Sequence, residues 1–109
     1  MEEKEKITAE SYTLRDENGN WLGQVVLTSD GMFASVTDYG NLSYAWRAYG
    51  KDFKEFLLSL NAPYFGQKLA TGMAYINHSR KTDIACDRFA EHILPALQRV
   101  LTEEIETKK

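Results

Sequence analysis

Cysteine is almost missing from this chain of 109 residues: Cys86 stands alone. One thiol cannot close an internal disulfide, so the fold has to rest on its core, and a reducing compartment suits it. Proline is nearly as scarce, with only Pro63 and Pro95. No apolar run approaches the ~20 residues that a helix needs to cross a bilayer. The segment Met1-Glu2-Glu3-Lys4-Glu5-Lys6 lacks the apolar stretch of a secretory signal, so a cytoplasmic setting is expected. Charge of one sign is also lacking. A net charge of −3 does not imply nucleic-acid binding through bulk attraction, and is too small for an acidic mimic of DNA.

What is present is ordinary globular material, with 43% hydrophobic and 27% charged residues. A chain of this length buries roughly two-thirds of the surface it exposes when unfolded, so it needs neither disulfide nor metal as a staple. Residues 1–109 are expected to form a single domain without repeats or linkers. Its mixed-charge ends, Met1 to Lys6 and Thr102 to Lys109, are expected to fray or to cap it.

Three turn signals, Asn18-Gly19, Asp30-Gly31 and Gly40-Asn41, separate four segments rich in β-branched and aromatic residues: Glu10 to Glu17, Asn20 to Ser29, Met32 to Tyr39 and Leu42 to Tyr49. The pattern predicts a four-stranded antiparallel meander. Two-residue loops at the first two turns place Tyr12 opposite Val25, Leu14 opposite Gly23, Val25 opposite Val36 and Leu27 opposite Ala34. One face then carries Tyr12, Leu14, Trp21, Val25, Leu27, Met32, Ala34 and Val36. The other carries Ser11, Thr13, Arg15, Gln24, Thr28, Ser35 and Thr37, interrupted by Leu22, Val26 and Phe33.

The fourth strand admits two readings. A two-residue Gly40-Asn41 loop sends Tyr44 and Trp46 to the polar face beside Phe33, where the three rings form an exposed platform flanked by Arg15 and Arg47. A longer loop or a bulge returns Tyr44 and Trp46 to the core, where aromatics dominate small domains.

Beyond the strands the periodicity becomes helical. Asp52 and Glu55 have capping-box spacing ahead of Phe53, Phe56, Leu57 and Leu60. Pro63 opens a second helix whose stripe is Phe65, Leu69, Met73 and Ile76, with Gly66 and Gly72 weakening it or permitting close approach. A polar loop, Asn77 to Lys81, leads to a last helix from about Thr82 or Asp83, with Phe89, Ile93, Leu97 and Val100 as its stripe. Pro95 inside that pattern predicts a kink or a split. The fold class is therefore α+β, an antiparallel meander followed by two to three helices packed on one face.

Chemistry is thinly represented. His78, His92 and Cys86 have no zinc-ligand spacing, and Cys86 and His92 fall on nearly opposite sides of a helix. A nucleophilic site built from His78, Asp83 and Cys86 needs a base held by a third group, and a polar loop and a helix cap account for the same residues. His78 to Lys81 could meet a phosphate, but no glycine-rich phosphate loop follows a strand. Asp30, Asp38 and Asp52 fall where turns and caps favour Asp. Neither catalysis nor a cofactor or metal is expected.

The run Asp38-Tyr39-Gly40-Asn41-Leu42-Ser43-Tyr44-Ala45-Trp46-Arg47, with Asp52-Phe53-Lys54-Glu55-Phe56-Leu57, Tyr64-Phe65 and Lys68-Leu69, resembles a group of small proteins carried by bacteriophages and prophages. The likeness covers roughly residues 17 to 77 and carries no activity with it. It implies a setting, the host cytoplasm, and a role in binding a host protein. Inhibition of a host defence nuclease, in the manner of anti-CRISPR proteins, heads the expectations. Binding of single-stranded nucleic acid or nucleotides on the sheet platform is the alternative. A small hydrolase or transferase using His78, Asp83 and Cys86 comes third, and the open face or an edge strand could equally serve a homodimer.

Overall fold

The computed structural model describes residues 6–50, 52–77 and 79–107. Four strands, β1 (Ala9–Arg15), β2 (Trp21–Thr28), β3 (Met32–Thr37) and β4 (Ser43–Ala45), pair in sequence order as an antiparallel meander. Three helices follow: α1 (Phe53–Leu58), α2 (Ala62–Asn77) and α3 (Arg80–Thr107). Buried Leu14, Val25 and Phe33 of the sheet share one core with Phe65, Phe89 and Leu97 of the helices. The expected α+β class is the one observed.

The first hairpin keeps the predicted register, Tyr12 opposite Val25 and Leu14 opposite Gly23, through a different turn. The Asp16 carboxylate accepts from the Asn18 and Asn20 amides at 2.8 and 2.9 Å, and Gly19 takes φ +85°. Those amides hold the Asp16 carboxyl below its ordinary pKa. A bulge then sets Arg15 opposite Trp21.

The second hairpin departs from expectation by one residue. Its loop is Ser29-Asp30-Gly31, closed by the Gly31 amide donating to the Thr28 carbonyl at 3.2 Å and by Gly31 at φ +96°. This is a type I turn followed by a left-handed glycine, the usual three-residue hairpin loop. The Thr28 hydroxyl staples it, accepting from the Met32 amide at 3.0 Å and donating to the Asp30 carboxylate. One added residue shifts the pairing to Val25 opposite Ser35 and Leu27 opposite Phe33. Because side chains alternate with a period of two, that shift turns over the whole of β3. Met32, Ala34 and Val36 leave the predicted core face, and Phe33, Ser35 and Thr37 enter it.

The third turn lies at Asp38-Tyr39 rather than Gly40-Asn41, with Thr37 and Gly40 bridged. A two-residue displacement of the turn changes the pairing by an even number, so Tyr44 still shares a face with Phe33, now directly opposite it. Tyr44 and Trp46 therefore turn with Phe33 towards the helices, Trp46 buried and Tyr44 half-buried. The Trp46 ring stacks on Phe65 with centroids 5.9 Å apart, and Phe33 meets Phe65 edge-on at 5.2 Å.

The helices begin where the polar caps lie. Asp52 accepts from the Lys54 and Glu55 amides, Asn61 from the Tyr64 amide and Ser79 from the Thr82 amide. The last helix thus starts at Arg80, a little before the expected Thr82 or Asp83, and runs unbroken through Pro95 to Thr107. The kink or split expected at Pro95 does not end the helix, and the mixed-charge C-terminal segment is helical as far as Thr107. The glycines of α2 serve close approach: a Cβ on Gly66 would stand 3.1 Å from the Cys86 carbonyl oxygen of α3. The side chains of Met73 and Ile76, and all of His78, fall outside the described residues, as does the segment before Lys6.

Candidate functional site

Helices cover one face of the sheet, and the other is left uncovered. Its rows can be read from the pairing: Ser11–Val26–Ala34–Ser43 runs across all four strands, with Thr13–Gln24–Val36 on one side and Met32–Ala45 on the other. None of these side chains is charged. Gln24 donates to the Ser11 hydroxyl at 3.0 Å within the face. Val36 is 58% exposed, Met32 41%, and Trp21, opposite Arg15 at the margin, 43%. Four strands at about 4.8 Å and five residues at about 3.3 Å make a face of roughly 300 Å². Its apolar members, Met32, Val26, Ala34, Val36 and Ala45, are set among Ser11, Thr13, Gln24 and Ser43, and exposed apolar surface of this kind is often functional.

The expected aromatic platform is corrected here. Phe33 is 0% and Trp46 5% exposed, and Tyr44 is half-buried, its ring edge-on to Trp46 at 4.7 Å. Arg15 and Arg47 are exposed, as expected of them, and Arg15 donates to the Gly19 carbonyl at 3.1 Å. With its rings indoors, base stacking on the sheet face has no aromatic surface beyond marginal Trp21. The uncovered face is instead neutral, its aliphatic side chains set among Ser11, Thr13, Gln24 and Ser43. The sequence hid it because Met32, Ala34 and Val36 read as core by count, and only the loop length shows otherwise.

Of the third expected constellation, Asp83 and Cys86 are described. Cys86 is fully enclosed, and burial, together with the fields of Asp83 and Asp87, raises its thiol pKa, away from a reactive thiolate. Asp83 is exposed on α3, His92 lies outside on the same helix, and His78 is outside the described residues. Among the described residues no group of three His, Cys, Asp or Glu could hold a metal ion.

Two further features stand on the helix side. The Lys54 ammonium lies 2.8 Å from Glu10, pairs with Glu104 and sits 5.8 Å from the centre of the Tyr12 ring, whose hydroxyl donates to Glu10 at 3.2 Å. Burial is the largest influence on Tyr12 and moves its pKa up to about 12. Burial opposes the Lys54 charge, yet its bonds to Glu10 and Glu104 outweigh that and raise its pKa. Both groups are held protonated, and the cluster ties β1, α1 and α3 together as a clasp.

The second feature is a groove between the β3–β4 turn and α3. Tyr39 projects from the turn and stacks on His92, centroids 4.3 Å apart and rings 6° from parallel. One cleft of about 390 Å³ lies on the Lys81 side of this pair, between Gly40–Leu42 and the first turns of α3. Another, of about 280 Å³, lies on the Arg99 side, with Asp16, Glu17 and Glu91 among its lining.

A meander shielded on one face and bare on the other defines a small two-layer α+β protein with one unpartnered sheet surface. This chain belongs to a phage family: the model of that family, phiTE_072, matches residues 1–84, which take in the sheet, α1, α2 and the start of α3. No curated protein and no solved structure matched the chain. Among the described residues, no helix is long and apolar enough to cross a membrane.

Proposed function

We propose that this phage-family protein is an accessory protein that works by binding a host protein rather than by catalysis, and that a host defence nuclease or its complex is the partner to seek first. The uncovered sheet face carries this reading. A neutral patch centred on Val26, Ala34 and Val36 gains by losing water to a partner's apolar surface, at about 25 cal/mol per Å² buried. The family sets the context, because a phage gains from a small protein that occupies a host enzyme of defence.

The experiment is native co-purification of the tagged protein from host lysate, run beside a Val36→Arg variant. An arginine in the Thr13–Gln24–Val36 row of the face would place an unpaired charge under any partner, and its exposed position leaves the fold intact. Stoichiometric capture of a nuclease by the parent chain, at least about tenfold weaker for the variant, is the expected result. Inhibition of the captured nuclease in a cleavage assay then tests the finer claim. Equal capture by both chains would remove the face from the account. A protein that emerges paired only with itself would turn the same face into a homodimer surface.

A further inference from the structure

The exposed side of α3 carries an ordered set of side chains. Lys81, Arg88, His92 and Arg99 recur at intervals of seven, four and seven residues, which keeps them on one helical face. Between them lie Ile84, 56% exposed, and exposed Ala85 and Pro95. No acid interrupts this face before Glu103. The acids of this stretch, Asp83, Asp87 and Glu91, run along the flank towards α2, where a Cβ on Gly66 would stand 3.0 Å from the Asp87 carboxylate. From Lys81 to Arg99 the row spans about 27 Å at 1.5 Å per residue.

Beside this row stands the Tyr39–His92 stack with its clefts. The cleft on the Lys81 side has no acidic side chain in its lining; it offers Asn41, Ser79 and Lys81 as polar groups around Leu42 and Ala85. The Arg99 end is more mixed. There Arg99 donates to the Arg15 carbonyl at 2.6 Å, the Asp16 carboxylate is occupied by the Asn18 and Asn20 amides, and Glu17 and Glu91 stand at the rim.

We infer that this face of α3 and the adjoining cleft bind a short run of single-stranded nucleic acid. The phosphates follow Lys81, Arg88 and Arg99, and a base enters the cleft against Tyr39. A row of cations alone would suit any polyanion. Cations alternating with an aromatic pair and an apolar cleft match the alternation of phosphate and base, which an acidic peptide lacks. The chain's net acidity is no obstacle, because the binding field is set locally, and the cleft at the Lys81 end has no acidic side chain in its lining, the acids gathering at the Arg99 end. This site lies on the helix side of the sheet and does not depend on the uncovered face.

The test is fluorescence anisotropy with a labelled mixed-sequence oligonucleotide of about ten nucleotides, as DNA and as RNA. Three phosphate contacts predict a salt slope near −2, so raising salt from about 50 to about 200 mM should weaken binding roughly twentyfold. Exchanging both Lys81→Glu and Arg88→Glu, exposed positions that leave the core untouched, should weaken it by at least about tenfold. Val36→Arg should leave it unchanged, which separates this site from the sheet face. Ultraviolet cross-linking of the parent chain should map to the Tyr39–Leu42 hairpin. Absence of binding, binding indifferent to salt or to the double charge reversal, or capture of a poly-glutamate peptide in place of the oligonucleotide would each overturn the inference.

Discussion

Phe33 and Val36 lie three residues apart on β3, one fully enclosed among Phe65 and Phe89 and the other mostly in water. Phe33→Ala would open a cavity in the aromatic core and should cost about 3–5 kcal/mol. Val36→Ala should stay within about 0.5 kcal/mol, as surface substitutions do. Urea unfolding of the two variants checks the register directly, because the two-residue loop expected at Asp30-Gly31 demands the reverse order. The sequence left this open for a physical reason. Met32, Ala34 and Val36 give β3 three apolar residues of one parity, while Phe33 alone gives the other parity one large ring. Number favours the first set and buried volume the second. Asp30-Gly31 cannot arbitrate, since the pair suits both a two-residue turn and a type I turn with a left-handed glycine. The Thr28 hydroxyl, bound at once to Met32 and Asp30, belongs to the longer loop.

Among the elements, α3 was the most legible and its proline the least. The stripe of Phe89, Ile93 and Leu97 is buried as its spacing predicts, and the start is off by only a few residues because Ser79 caps ahead of Thr82. A proline inside a helix usually kinks or ends it. Pro95 is exposed, however, so the Glu91 carbonyl that loses its amide partner can turn to water, while the buried residues on either side hold the helix to the sheet. The ring still removes a hydrogen bond and crowds the preceding turn. Pro95→Ala should therefore stabilise the protein by about 1–3 kcal/mol, read as a higher urea midpoint at unchanged slope. An unchanged midpoint would mean that the helix has fully absorbed the proline.

For the whole molecule, the clasp at Lys54 joins β1 through Glu10, α1 through Lys54 itself and α3 through Glu104. No local pattern marks three residues so far apart in sequence as partners; only the finished topology brings them together. The clasp also sets a response to alkali. Tyr12 and Lys54 both have folded pKa values above their ordinary ones, so their contribution is complete below about pH 10 and is lost as the pH rises through the folded values. Tyr12, which titrates at about 12 in the fold, governs the upper window. Stability should thus fall between about pH 10 and about pH 12, and Tyr12→Phe should flatten that fall. Denaturation midpoints collected across the interval decide it; parallel curves for parent and variant would refute the assignment. The fold class and strand order were readable because turns and periodicity are local. The uncovered face was not, because it hangs on one residue of loop length.

Cys86 has a consequence of another kind. It is the only cysteine in the chain, and it is buried beside Gly66 of α2, directly behind the wall of the cleft between Gly40–Leu42 and α3. A thiol reagent in solution can reach it only while Gly40–Leu42 and the first turns of α3 part. Its rate of labelling therefore counts openings of that cleft, and the protein carries its own clock for how often the β3–β4 turn and α3 separate.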